Sequence, residues 1–162
     1  MSKPVLKSML QMARKKTLET LAAIEKRPDA AAVLAWRPGP GRAHIAWQIM
    51  HIGATDDRHL HARMRAGEPR DPEMVRRFAG GSVPDDAVPT IAEIRAYLES
   101  RRKEMIEHFD GLDEAAMATK PNDKAPWPYV EWFQVLVWHE AHHQGQAHLT
   151  LNLYRAAHDP AS

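Results

Sequence analysis

Residues 128–158 read PYVEWFQVLVWHEAHHQGQAHLTLNLYRAAH. After Pro128 the run contains no proline, and its apolar residues recur at the three- and four-residue spacing of one helical face. Trp132, Leu136, His139, His143, Gln146 and Thr150 share a single, largely apolar stripe, which a helix turns toward a core. Pro128 stands as a first-turn proline, where its missing N–H has no partner to lose. The reading predicts one helix ending near His158, roughly thirty residues and 45 Å long.

Working outward, three more segments keep that periodicity. Ser2 and Pro4 open a stretch in which Val5, Leu6, Met9, Met12, Leu18, Leu21 and Ile24 predict a first helix ending near Arg27-Pro28. The turn Trp36-Arg37-Pro38-Gly39-Pro40-Gly41 cannot continue a helix. From about Arg42 to Arg65 no proline occurs, and Ile45, Trp47, Ile49, Ile52 and Leu60 predict a second helix. Residues 66–89 carry Pro69, Pro72, Pro84 and Pro89 with Gly67, Gly80 and Gly81, which predicts a long loop with one short helical turn. Thr90, followed three residues later by Glu93, forms a capping box that opens a third helix, running to about Asp110 with Gly111 as its stop. A loop with Pro121 and Pro126 leads into the fourth. Four long helices and no strand pattern predict an all-α chain, a single domain over residues 1–162 folded as a helical bundle. The two long connections argue against simple up-down-up-down wiring.

Composition narrows the function. The 22 Lys and Arg against 21 Asp and Glu leave a formal net charge of +1, which argues against a nucleic-acid partner. The chain has no cysteine, so disulfides, thiolate ligands and a cysteine nucleophile are excluded together, and any transition-metal site must use His and carboxylates. No apolar run suits a signal peptide or a membrane span, so a soluble, cytoplasmic protein with no membrane partner is expected.

The ten histidines are clustered: His44, His51, His59 and His61 form one group, His139, His142, His143 and His148 another. His139 and His143 lie about 40° apart on the wheel, one turn along the same face, with side chains about 5–6 Å apart. Two neutral imidazoles so placed in a core need separate partners, and a shared metal ion satisfies both. His142 sits about 80° off the pair's midpoint and is a reserve ligand, while His148 points away. A third ligand is expected. His51, in the middle of the second helix, is the better candidate. His44 reads as a capping or rim residue two turns earlier, and His59 and His61, among Arg58, Arg63 and Arg65, read as solvated.

His139-Glu140-Ala141-His142-His143 also matches H-E-x-x-H, the two-ligand-plus-base pattern of zinc metalloproteases. Such an enzyme finds its third ligand downstream, where this chain offers only His148, His158 and Asp159, so a protease is disfavoured. Glu140, about 80° off the ligand midpoint, reads either as a general base or as a flanking, solvent-facing residue.

The Trp36-to-Gly41 turn, Ala46-Trp47-Gln48-Ile49-Met50-His51-Ile52 and His139-Glu140-Ala141-His142-His143-Gln144-Gly145-Gln146 together resemble the DinB/YfiT-like metal-dependent enzymes. The resemblance implies a four-helix bundle with up-down-down-up connectivity and long crossover connections, frequently a homodimer. It also implies a three-histidine site for a divalent metal, zinc or nickel first, manganese or iron after them. Carried over, the ligands are His51, His139 and His143. Gln144 departs from the pattern, since the family often has Arg there. Some relatives resemble thiol-dependent S-transferases or isomerases that use bacillithiol, mycothiol or a similar low-molecular-weight thiol. A metal on three histidines with an open position would favour a deprotonated thiol or water, for transferase, isomerase or hydrolase chemistry on a small-molecule substrate. The competing expectation is a non-catalytic metal-binding or structural stress-response bundle, its fourth position closed by protein. Arg58, two turns beyond His51, reads as a surface residue, and Trp47 and Trp132 as core.

Overall fold

The computed structural model describes residues 2–159, and among these every regular element is helical. Four long helices dominate. The first is α1 (Lys3–Glu25), entered from Ser2 with Pro4 in its first turn. The second, α3 (Ile45–Asp57), is capped by His44, whose Nδ1 accepts from the Trp47 N–H at 3.0 Å, as its expected capping role requires. The third, α5 (Ile91–Gly111), opens with the predicted capping box, Thr90 and Glu93 bonding each other's backbone amides. The fourth, α7 (Tyr129–His158), begins at Pro128, which is the cap and not the first helical residue.

Between them lie shorter pieces, of which only one was expected. Helix α4 (Pro72–Arg77) is the helical turn foreseen in residues 66–89. Helices α2 (Ala30–Ala35) and α6 (Glu114–Met117) fall outside the segments read as helices. The second long helix changes character after Asp57, continuing as a π-helical segment, Arg58–Met64. Gly111 does not act as a left-handed stop: it ends α5 in helical conformation, and Leu112 turns the chain out in extended geometry.

Helix α1 packs on α7 and on α5, and α3 packs on α7 and on α5. The apolar interior forms two clusters. One gathers Leu21, Ile24, Ile45, Ile49, Ile94, Leu98 and Leu151 with the buried faces of α2 and α4. The other gathers Leu6, Leu10, Leu60, Met64, Met105, Phe109, Trp132, Phe133 and Leu136. Helices α1 and α7 pass from the second cluster to the first along the chain, and α5 and α3 with its π-helical continuation pass from the first to the second.

A buried ionic layer separates the clusters. Arg14 Nε donates to Glu140 Oε1 at 2.7 Å and Arg14 Nη2 to Asp56 Oδ2 at 3.0 Å. Arg102 Nε donates to Asp56 Oδ2 at 2.9 Å, and Arg102 Nη2 reaches Glu140 Oε2. Thr17 completes the set with a bond to Glu140 Oε1 at 2.9 Å. Each long helix contributes one charge. Taking four charges out of water is costly, and it is tolerated only because every carboxylate oxygen here meets a donor.

Candidate metal centre

Helices α3 and α7 meet beside this ionic layer, and their seam brings His51, His139 and His143 together. One ring nitrogen from each lies within 4.8 Å of the others. The His51 and His139 Nε2 atoms are 3.0 Å apart. The His51 and His143 ring centroids are separated by 4.4 Å, and those of His139 and His143 by 4.5 Å.

The outer nitrogens fix which atoms face inward. His51 Nδ1 donates to the Phe78 carbonyl at 2.5 Å, and His143 Nδ1 to Gln48 Oε1 at 2.7 Å. Each leaves Nε2 as a bare lone pair. Outer bonds of this kind set the tautomer and orientation of metal-ligating histidines. Trp47 holds the His51 ring from the side, stacked at 4.9 Å and 9° between planes. Its indole N–H donates to Ser82 Oγ, which in turn donates to the Arg77 carbonyl, so the chain after α4 forms a firm backing to His51.

The electrostatics keep these rings neutral. Burial pushes His139 down to about 3, helped by His143 and His51, and pushes His143 down to about 4, helped by His51 and His142. Burial lowers His51 as well, against a smaller opposing pull from the Phe78 carbonyl. Neutral imidazole is the ligating form. In a tetrahedral zinc site with Zn–N bonds of 2.0–2.1 Å, ligand nitrogens stand about 3.3 Å apart. The donor set therefore fits a divalent ion: three neutral imidazoles, two with lone pairs directed inward, at separations bracketing that value. His51 is buried, and His139 and His143 are half-buried.

A family model of the DinB superfamily matches residues 9–147. The chain belongs to the DinB superfamily. Among solved structures, the crystal structure of a conserved protein from Enterococcus faecalis is similar, with a TM-score of 0.68 and 17% sequence identity. The match covers 94% of this chain and 96% of that one. At that identity the likeness speaks for the fold. No curated protein matches the chain.

In this DinB-superfamily chain the other candidates fall elsewhere. Glu140 is not solvent-facing: it is buried on the α1 and α5 side of its helix, where Arg14, Thr17 and Arg102 bond both oxygens. A carboxylate so engaged has no oxygen left to take a proton near the histidines. His59 and His61 are not solvated either. His59 donates through Nδ1 to the Thr55 carbonyl and sets its ring at 5.1 Å against Trp132, and His61 meets Glu104 at 3.1 Å. Both lie in the π-helical segment, which an α-helical wheel does not describe. His142, the reserve ligand, is exposed and stacked on Trp138, and His148 is exposed. Arg58 is exposed, as expected. Gln144, in place of the family's Arg, donates to Thr20 Oγ1 at 3.2 Å. Sequence reasoning missed the Phe78 carbonyl and Gln48. The first leaves no side-chain signal, and the second lies one turn before His51 in the quoted segment.

Proposed function

We propose that this chain holds one divalent metal ion on His51, His139 and His143 and acts with it as an enzyme on a small molecule, as a thiol-dependent S-transferase, an isomerase or a hydrolase. The observation that carries the reading is the convergence of three neutral imidazoles with the outer nitrogens of two tied back. The ion proposed is zinc or nickel, with manganese or iron after them, since an imidazole set without thiolate suits these metals. Once bound it supplies Lewis acidity that favours a deprotonated thiol or water at neutral pH. The chain's own residues hold the ligands: Phe78 and Trp47 fix His51, Gln48 fixes His143, and the Thr55 hydroxyl stands 3.4 Å from His139 Nε2. With no cysteine in the sequence, a thiol nucleophile must come from a cosubstrate.

The same reading includes the architecture. We take residues 1–162 as one domain, a four-helix bundle with up-down-down-up connectivity. This is supported by the opposite passage of α1 and α7 against α3 and α5 between the two apolar clusters. The homodimer and the cytoplasmic location rest on the family resemblance and composition. No described helix is long and apolar enough to cross a membrane.

Elemental analysis of the purified protein is expected to find about one divalent ion per chain, lost in His51→Ala and in His139→Ala. Full occupancy in both variants would overturn the ligand assignment. Turnover is then sought with a panel of small thiols and electrophilic acceptors, with and without zinc, nickel or manganese. Strong stabilisation by metal without turnover across the panel would make the site structural.

A further inference from the structure

Behind His143, on the side away from the other two histidines, lies a cavity of about 490 Å³ lined by Pro38, Arg42, Gln48, Gln146, Leu149 and Leu153 among others. That volume is in the range of small-molecule sites. Gln48 joins it to the metal centre, because the oxygen that faces His143 belongs to an amide whose nitrogen has no protein partner among the described residues. Gln146, which also lines the cavity, is turned by its Nε2 contact to His142 at 2.8 Å. Leu149 and Leu153 are 58% and 43% exposed, so the cavity also offers an uncovered apolar wall.

The rim is the Trp36-to-Gly41 turn, for which the metal centre has no use. It is held firmly. Arg42 N–H donates to the Gly39 carbonyl at 3.2 Å, and Gly41 takes the left-handed φ of +69° that glycine adopts without a Cβ penalty. Arg37 bonds the Arg42 carbonyl, the Pro84 carbonyl and Asp86 Oδ1. The turn thus spends Arg37 on its own anchoring and presents Arg42 at the cavity with no ion pair among the described residues.

We propose that this cavity binds a small organic anion, a carboxylate or phosphate on an apolar body, with its head on Arg42 and the Gln48 amide and its body against Leu149 and Leu153. The site lies behind one ligand of the metal centre, joined to it through Gln48 and His143, and its binding does not need the ion.

The test titrates 15N-labelled protein, metal-free and zinc-loaded, with hexanoate, hexyl phosphate and the neutral hexanol, following the side-chain amide signals of Gln48 and Gln146. One or both anions are expected to saturate the site at least about tenfold more tightly than hexanol. Arg42→Gln lowers anion affinity by about tenfold, as expected for a lost charge-assisted contact, and Leu153→Glu weakens it through repulsion. Arg63→Gln, exposed and distant in the chain, leaves it unchanged. All three positions are exposed, and an unaltered melting temperature shows that the variants fold. Equal binding of hexanol, no effect of Arg42→Gln, or shifts confined to other amides would overturn the proposal. Anion binding at Arg42 in a protein that takes up no zinc would remove the metal reading alone. Zinc uptake without anion binding would remove this one alone.

Discussion

His51 owes its direction to a backbone carbonyl, and His143 owes its own to an amide side chain. The two differ in how easily they can be cut. The Phe78 carbonyl cannot be deleted by substitution, but Gln48 can. Gln48→Leu keeps the size of the side chain and leaves His143 Nδ1 without its acceptor. Metal affinity is expected to fall by about 10–100-fold, measured by competition with a chelator of known strength, while the fold is kept. The wheel positions of His51, His139 and His143 were legible in the sequence because helical periodicity alone puts each on a core-facing stripe. Gln48 was not, since it lies about 60° round the wheel from His51 and only the approach of α7 sets it against His143.

Among the elements, α3 is closely approached at Gly53. A Cβ built on Gly53 would stand 2.7 Å and 2.8 Å from two ring carbons of Tyr97 on α5, a contact that requires the ring or the helix to move. Alanine gains about 0.5–1 kcal/mol of helix propensity over glycine, but overpacking of a tight seam costs about 1–3 kcal/mol. Gly53→Ala is therefore expected to destabilise the protein by about 1 kcal/mol net, read from denaturant midpoints. The caps of α3 and α5 were legible because side-chain chemistry writes them: His44, and Thr90 with Glu93. The π-helical segment was not, since the same apolar residues satisfy either winding and only the fit of Leu60 and Met64 into the second cluster chooses between them.

Across the whole molecule, the two clusters and the layer between them make a core that is apolar at both ends and ionic in the middle. Asp56 shows what this layer requires. Burial alone would raise its carboxyl, but Arg102 and Arg14 outweigh that and hold it below its ordinary value. A lowered folded pKa gives a contribution fully present above about pH 4 and lost as pH falls through the folded value. Asp56→Asn leaves two buried guanidinium groups short of an anion and is expected to cost about 3–5 kcal/mol at neutral pH. Denaturation measured from pH 7 downward should show the gap from the unsubstituted protein narrowing only in acid. The all-helical class was legible from four periodic segments. The layer was not, because Arg14, Asp56 and Arg102 sit beside like-charged neighbours and, with Glu140, look solvated until the helices meet.

Trp47 lies parallel to His51, stacked on a ring whose electronic state changes whenever something joins its far nitrogen. An indole in that position is a built-in optical gauge. Its emission is expected to change with occupancy at His51, so loading could be followed by light in the unmodified chain, and a Trp47→Phe companion would separate its signal from that of the other four tryptophans.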